Sequence, residues 1–150
     1  MDFSHLDAKG QAVMVDVSAK PPVRRTARAA GRITMLPATV ERLRAATIEK
    51  GDALAVARVA GIAAAKRTAD LIPLCHAIRI DQVGVEFTLT DDAVEVEAHA
   101  VCTDRTGIEM EVLTAVSVAA LTLYDMCKAV DSTMRITDVR LLEKTKGTDA

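Results

Sequence analysis

The order of hydrophobic periodicities along the chain restricts its fold more than any other feature of the sequence. Residues from Arg25 to Met35 alternate between apolar and polar, which is typical of a half-buried strand. Two further alternating runs, Ile78 to Leu89 and Val94 to Cys102, flank a short acidic turn and predict a hairpin. A last strand is predicted from Met134 to Leu142.

Helical periodicity fills the intervals between these strands. A first helix is predicted from Pro37 to about Gly51, because proline is well suited to the first helical turn. Asp52 can cap a second helix that runs to about Leu71. Another helix runs from Gly107 to about Val130. The resulting order predicts an α+β fold, a ferredoxin-like split βαβ sandwich with one antiparallel sheet and helices on one face.

The length of 150 residues is sufficient for one core, so we expect a single domain over residues 1–150. The polar start of the chain predicts a flexible N-terminal arm at residues 1–10, and residues 144–150 are expected to be a flexible tail. The alternation of Val13, Val15 and Val17 predicts a short additional strand before the sandwich.

The core must be built from small side chains, because the chain is rich in alanine and valine and has only two Phe, one Tyr and no Trp. This scarcity of rings excludes a nucleic-acid surface of stacked aromatics. The recurring face of the second predicted helix, which includes Ala57, Gly61 and Ala64, allows another backbone to approach closely. Association of subunits is expected to complete the burial.

Charge and cysteine usage indicate the class of partner and the compartment. A balance of 19 basic against 21 acidic residues favours neither nucleic acid nor an anionic membrane. The three cysteines contain no C-x-x-C pair, which is typical of a reducing cytoplasm. We expect no signal peptide, because the start lacks a basic and then apolar pattern, and the apolar run Val112 to Tyr124 is expected to be a buried helix too short to span a bilayer.

Cys75 and His76 are adjacent, and three interpretations of the pair remain open. They could form a nucleophilic dyad, but neighbouring side chains on an extended backbone point apart. Cys75 could instead be buried while His76 makes a hydrogen bond at a corner between helix and strand. In the third interpretation, His76 contacts a ligand at the mouth of a cleft, as its loop position suggests.

Charged residues occur at both ends of the last predicted helix. Glu109 and Glu111 lie in its first turn, where acids are favoured by the exposed N–H groups alone. Asp125 and Lys128 share a face near its end, as an ordinary surface ion pair or as the lining of a cleft. The helical rise puts Glu111 and Asp125 roughly 21 Å apart. If both serve one small-molecule site, two chains must contribute to it.

Basic residues at Arg24, Arg25, Lys50 and Lys66 are candidates for an anion site, although each alone is most often a solvated surface charge. The sequence contains neither a phosphate loop nor a G-x-G-x-x-G run. Reasoning from residue types therefore predicts a local anion site without specifying a reaction.

Several of these stretches resemble the cyclic pyranopterin monophosphate synthase family, also called molybdenum cofactor biosynthesis protein C. The matching runs are Met14-Val-Asp-Val-Ser18, Lys50-Gly-Asp52, Ala60-Gly-Ile-Ala-Ala-Ala-Lys-Arg-Thr68, Asp70-Leu-Ile-Pro-Leu-Cys-His76, Thr106-Gly-Ile-Glu-Met-Glu111, Leu113-Thr-Ala115 and Leu123-Tyr-Asp-Met-Cys-Lys-Ala-Val130. The sequence departs from the family pattern in two places. Ala77 occupies a position where the family commonly has proline, and the end of the chain lacks the family's usual Gly-rich run.

The resemblance implies a lyase that converts (8S)-3′,8-cyclo-7,8-dihydroguanosine 5′-triphosphate to cyclic pyranopterin monophosphate and pyrophosphate. It implies a hexamer, a trimer of dimers with the site at a subunit boundary. Asp125 takes the place of the catalytic aspartate, and Lys128 and Lys50 match the catalytic lysines. The implied substrate-binding residues are Leu74, Cys75, His76, Met110, Glu111, Asp16, Arg25 and Lys66.

The implied chemistry suits these residue types. Ring opening and reclosure need proton transfers, for which Asp125 and a lysine of lowered pKa are suitable partners. Loss of pyrophosphate needs positive charge, which Lys50, Lys66 and Arg25 would supply. The sequence shows no required cofactor and leaves open Mg²⁺ bound through the substrate phosphates. The alternative function is a non-catalytic oligomer that binds a nucleotide or a pterin.

Overall fold

The computed structural model describes residues 3–147 and contains four strands and four helices in that range. The strands are β1 (Val23–Thr34), β2 (Ile80–Leu89), β3 (Ala93–Asp104) and β4 (Arg135–Lys146). The helices are α1 (Pro37–Arg44), α2 (Ala53–Ala65), α3 (Thr68–Leu71) and α4 (Glu109–Cys127). The sheet has the order β2-β3-β1-β4, and every neighbouring pair is antiparallel. The predicted ferredoxin-like α+β fold is therefore confirmed.

The sheet has one apolar and one charged face, because successive side chains on a strand point to opposite sides. On β1, Ala27, Ala29 and Ile33 are buried and face α4. Arg28 lies on the opposite face, where it makes ion pairs with Glu97 at 2.7 Å and with Glu143 at 3.1 Å. This charged face has no covering element among residues 3–147, so the helices lie on one side only.

The two longest helices approach each other closely at Gly61. A Cβ atom at this position would lie 3.0 Å from the Ala115 carbonyl oxygen and 3.2 Å from the Ala119 Cβ. Both of these neighbours are on α4, and Ala115 and Ala119 are fully buried. The predicted small-residue face thus lets α2 pack on α4 with almost no intervening side chain, which fixes α4 over the sheet.

Several predicted boundaries differ from the structure. Residues 13–17 form no strand, because β4 completes the β1 side of the sheet and leaves Val13 and its neighbours without a partner strand. The second predicted helix ends at Ala65 and resumes as the single turn α3, where the Thr68 hydroxyl donates to the carbonyls of Ala64 and Ala65. Asp52 caps α2 as predicted, accepting a hydrogen bond from the Ala55 amide.

The last strand is longer than predicted, because it continues past Leu142 to Lys146. Lys144 and Lys146 pair with Ala27 and Arg25 of β1, so the first residues of the predicted tail belong to the sheet. Residues 148–150 of that tail, like residues 1 and 2 of the predicted arm, lie outside the described residues. The flexibility of both termini stays a prediction.

Helix α4 has 19 residues and is long and apolar enough, by length and composition, to cross a membrane. The expectation that this helix is too short to span a bilayer, which was based on the run Val112 to Tyr124 alone, is therefore wrong as to length. The burial of the helix explains its composition: Val112, Val116 and Leu123 are completely buried in the core. Helix α4 is the central core helix of the sandwich, and both of its ends emerge at the surface of the domain.

Candidate active site

Three of the predicted residues meet at the C-terminal end of α4. Lys128 Nζ lies 2.9 Å from Asp125 Oδ1, and Lys50 Nζ lies 3.4 Å from Asp125 Oδ2. Lys50 also donates to the Asp125 backbone carbonyl at 3.0 Å. Lys50 comes from the loop before α2, which Gly51, with its positive φ of 115°, turns toward α4. We call Lys50, Asp125 and Lys128 the ion-pair group.

The ion-pair group is exposed, and its charges determine its protonation. The hydrogen bond and charge of Lys128, followed by those of Lys50, hold the pKa of Asp125 below its usual range. The hydrogen bond and charge of Asp125 raise the pKa of Lys128. The expected lysine of lowered pKa is therefore wrong for Lys128 within one chain, because an adjacent carboxylate and open solvent both favour the ammonium.

A second group of predicted residues lines a cavity of about 120 Å³ at the N-terminal end of α4. The lining residues are His5, Leu74, Cys75, His76, Thr106, Gly107, Glu109, Met110 and Glu111. Gly107 has a positive φ of 97°, and a Cβ atom there would lie 2.6 Å from the Ile78 side chain. Glycine at this position therefore lets the backbone turn tightly into α4 beside the cavity.

Glu111 has the most unusual environment among the residues that line this cavity. Its side chain is 4% exposed, and its Oε2 atom has no hydrogen-bond partner among the described residues. Burial raises the pKa of Glu111, and the charges of Glu109 and Asp104 act in the same direction, against a hydrogen bond to its own backbone. A buried carboxylate oxygen without a partner is costly in free energy, which makes Glu111 a candidate for a role toward a ligand.

Cys75 and His76 do not behave as a nucleophilic dyad. His76 Nε2 makes a 2.6 Å hydrogen bond with the Val15 carbonyl oxygen. Burial raises the pKa of the Cys75 thiol, and the carboxylates of Glu111 and Glu109 raise it further, which disfavours the thiolate that a nucleophile requires. The hydrogen-bonded corner is confirmed for His76, whereas Cys75 is half-buried rather than buried. His76 also lines the cavity, and its contact with a ligand stays a prediction.

Lys66 belongs to the same end of the molecule. It lines a smaller cavity of about 90 Å³, to which His76 and Glu111 also contribute. We call the residues that line these two cavities the cavity group. It contains six of the predicted binding residues: Leu74, Cys75, His76, Met110, Glu111 and Lys66.

The structure places two predicted binding residues outside both groups. Arg25 is 5% exposed, and its guanidinium donates to the backbone carbonyls of Asp104 and Arg105 at 3.1 and 3.0 Å. It holds the segment that leads into the cavity but does not line it. Asp16 is exposed and accepts a hydrogen bond from the Ser18 amide at 2.9 Å. Hydrogen bonds from Ser18 lower the pKa of Asp16.

Three residues near the cavity were missed as site residues at the sequence level. Glu109 lines the cavity and lies 3.1 Å from Lys144 Nζ, so β4 brings a lysine to the rim. No local pattern distinguishes Lys144, because its approach depends on the register between β1 and β4. His5 also lines the cavity, and its position before the sandwich gave no signal.

The two groups are separated by most of α4 and cannot act on one small molecule within a single chain. Glu111 lies in the first turn of α4 and Asp125 in the last, which the helical rise places roughly 21 Å apart. The cavity group supplies a partly enclosed space with acids, and the ion-pair group supplies exposed cations. Residues 3–147 contain no group of three or more His, Cys, Asp or Glu side chains placed to hold a metal ion.

These features define a ferredoxin-like α+β protein with complementary candidate sites at the two ends of its longest helix. The MoaC family model matches residues 14–147, and the chain belongs to this family.

Among its relatives is a cyclic pyranopterin monophosphate synthase of Streptomyces avermitilis, 58% identical over 145 residues that cover 97% of this chain and 85% of the relative. The synthase of Chloroflexus aggregans is 57% identical over 147 residues, covering 97% and 89% of the two chains. A molybdenum cofactor biosynthesis bifunctional protein of Chlorobaculum tepidum is 54% identical over 147 residues, which cover 98% of this chain. The present chain spans 47% of the length of that bifunctional relative.

Proposed function

We propose that the chain is a lyase of molybdenum cofactor biosynthesis that converts (8S)-3′,8-cyclo-7,8-dihydroguanosine 5′-triphosphate to cyclic pyranopterin monophosphate and pyrophosphate. Family membership supports the class of enzyme. The observation that carries the proposal is the contact among Lys50, Asp125 and Lys128, because these residues match the family's catalytic aspartate and lysines and approach within 3.4 Å.

The ion-pair group can perform both parts of this reaction. Asp125 can accept a proton and the adjacent Lys128 ammonium can donate one, as ring opening and reclosure require. Their ion pair lowers the pKa of Asp125 and raises the pKa of Lys128, so within one chain it weakens both the base and the acid. In the phosphate step, a hydroxyl oxygen of the substrate attacks the α-phosphorus. The bond from that phosphorus to pyrophosphate breaks, and the hydroxyl proton passes to a base. Lys50 would stabilise the negative charge that develops on the leaving pyrophosphate.

The cavity group would bind the heterocyclic end of the substrate. Its carboxylates can accept hydrogen bonds from the N–H groups of a purine-derived ring, and the unpartnered Oε2 of Glu111 is available for such a bond. Lys66, in the adjoining cavity, would meet a phosphate or a carbonyl oxygen. Arg25 and Asp16, which are committed to backbone groups, would shape the approach to the site rather than bind substrate directly.

The separation of the groups leads to a proposal about assembly. One site would combine the cavity group of one chain with the ion-pair group of another, and a hexamer arranged as a trimer of dimers provides such boundaries. We propose a cytoplasmic enzyme that acts on a small molecule and binds neither nucleic acid nor membrane. It would need no cofactor of its own, and any Mg²⁺ would be held through the substrate triphosphate.

The direct test supplies the cyclised dihydro-GTP to the purified protein and measures pyrophosphate together with the fluorescent oxidation product of the pyranopterin. The proposal expects both products in equal amounts, in assays with and without EDTA that reveal any dependence on Mg²⁺. Binding of the substrate without either product would refute the lyase and favour the non-catalytic carrier. Lys50→Ala and Lys128→Ala proteins should bind the substrate and form little product.

A further inference from the structure

The segment before the sandwich has a defined local structure. Residues Leu6 and Ala12 form an antiparallel bridge, and the Val13 amide donates to the His5 carbonyl at 2.8 Å. Asp7 closes the turn between them, since its Oδ1 atom accepts from the amides of Lys9 and Gln11 at 2.8 and 2.9 Å. We call residues 3–17 the N-terminal segment. Its hydrogen bonds give His5 a definite position despite its exposure.

The N-terminal segment lies over the cavity group. Its contact with the sandwich includes the 2.6 Å hydrogen bond between the Val15 carbonyl oxygen and His76 Nε2. His5 lines the cavity of about 120 Å³ together with Glu109 and Glu111. His5 and Ala12 also line an adjoining, mostly apolar space of about 530 Å³, whose other walls include Leu74 and Met110. The segment thus forms one wall of the space in which the ring of the substrate would lie.

The position of His5 matters because it differs chemically from its neighbours in the cavity. Glu109 and Glu111 offer acceptor oxygens, whereas a neutral or charged imidazole offers at least one N–H donor on a flat ring. A purine-derived heterocycle carries both N–H donors and carbonyl or ring-nitrogen acceptors. Ionised carboxylates can bond only to the donors of this ring. A donor on the N-terminal segment would bond to its acceptors, so that both kinds of group on the ring have a partner.

We propose that His5 is a further substrate-contacting residue of this site and that the N-terminal segment carries it. The imidazole would meet an acceptor of the heterocycle while Glu111 meets a donor, so that the ring lies between the N-terminal segment and the start of α4. This inference rests on the proposed function, because it assumes that the cavity group receives the heterocyclic end of the lyase substrate.

The test is a histidine NMR titration of the full chain with the cyclised dihydro-GTP. The chain has three histidines, so its imidazole signals can be assigned by single substitutions. His99 is an internal control, because it covers Gly84 and alternates along β3 with the core residues Ala98 and Ala100, which places it on the opposite face of the sheet from α4. Substrate should shift the signals of His5 and His76 and leave that of His99 unchanged.

Kinetics of variants complete the test. His5→Ala should lower kcat/KM about tenfold or more, mainly through KM, as expected when a hydrogen bond to substrate is lost. His99→Gln should match the wild type. Asp7→Ala, which loosens the turn but keeps the imidazole, should raise KM by a smaller factor.

Two different failures can be told apart. If wild-type turnover is normal, an unshifted His5 signal or a His5→Ala protein with wild-type KM overturns the role of His5 and leaves the lyase standing. If the His5 signal shifts but the wild type makes no product, the lyase proposal fails while the contact stands.

Discussion

The two ends of α4 carry acids in opposite surroundings. At the N-terminal end Glu111 is buried beside a cavity, its Oε2 atom has no hydrogen-bond partner among the described residues, and its pKa is raised. At the C-terminal end Asp125 is exposed, paired with two lysines and of lowered pKa. One helix thus presents one carboxyl group whose pKa is raised by burial and another whose pKa is lowered by its ion pairs. The difference supports the proposal that each end holds part of a site, one part suited to binding a ring and the other to handling charge and protons.

The largest effect is expected at the exposed end. Asp125→Asn should lower kcat by about 10²–10⁴-fold, because the variant keeps the shape of the side chain but loses its capacity to accept a proton. Its Tm should stay close to the parent value, since the pair with Lys128 is solvated. Steady-state assays with the cyclised dihydro-GTP and thermal melts provide the measurement.

Glu41 supplies a matched control for Asp125. It is also an exposed acid in an i,i+3 ion pair, 3.2 Å from Arg44, but it lies on α1 and outside both groups. Glu41→Gln should leave kcat within about twofold of the wild type. If Asp125→Asn and Glu41→Gln were equally active, the assignment of the ion-pair group to catalysis would be wrong.

At the buried end, a substitution should affect activity and stability in opposite directions. Glu111→Met should reduce kcat/KM by about tenfold or more, because it removes the acceptor for the ring. The same change should increase the free energy of unfolding by about 1–2 kcal/mol, because an unpaired buried polar group is replaced by an apolar one. Urea denaturation and kinetics measure the two effects.

The exposed Glu86 on β2 is the control for this substitution. Glu86→Met should change neither stability nor turnover appreciably. A destabilised Glu111→Met protein would contradict the assignment of Glu111 as a residue retained for function at the expense of stability.

The connection between the two ends can be weakened at Gly61. Gly61→Ala places a methyl group 3.0 Å from the Ala115 carbonyl oxygen, a backbone atom that cannot move away without shifting α4. We expect a loss of about 1–3 kcal/mol in the free energy of unfolding, as in other overpacked cores. Ala63→Ser, on the exposed side of α2, should be close to neutral in the same urea titration.

The smallest expected effect is a difference in pH dependence. The lowered pKa of Asp125 gives stability that is present above 3.8, the ordinary pKa of an aspartate, and lost as pH falls through the pKa in the folded state. The raised pKa of Glu111 gives stability that is present below 4.5, the ordinary pKa of a glutamate, and lost as pH rises through the pKa in the folded state. Asp125→Asn should therefore reduce the loss of stability at acid pH. Glu111→Met should reduce the loss of stability above pH 4.5. Urea titrations across pH 3–7 measure how the free energy of unfolding changes with pH. If both variants changed this slope in the same direction, the proposed difference between the two acids would be wrong.

The order of the elements was predictable because each has its own hydrophobic period and end signal. The alternation in β1 and the Asp52 cap of α2 depend on nearby residues, and both were predicted correctly in kind. Val13, Val15 and Val17 also alternate, but a strand needs a partner, and β4 already completes the β1 side of the sheet. The extension of β4 to Lys146 depends equally on its pairing with β1.

The residue types of the site were predictable, whereas their environments were not. Asp125 and Lys128 are three residues apart on one helix, so their contact follows from helical geometry. Glu111 carries the ordinary signal of an acid in a first helical turn, and only the packing of α4 shows that its Oε2 is buried without a partner. His5 lines the cavity and Lys144 contacts Glu109 beside it, both from distant parts of the chain, which no local pattern predicts.

In the proposed assembly, one active site combines the cavity group of one chain with the ion-pair group of another. This assembly is tested by mixing the impaired Glu111→Met and Asp125→Asn proteins under conditions in which subunits exchange, with native mass spectrometry to verify hybrid oligomers. Activity should rise above the mean of the two parent proteins, toward about a quarter of the wild-type sites, because random pairing brings an intact Glu111 and an intact Asp125 together in that fraction of boundaries. Hybrid oligomers that are no more active than the mean of the two parent proteins, or a wild-type protein that is fully active as a monomer, would contradict it.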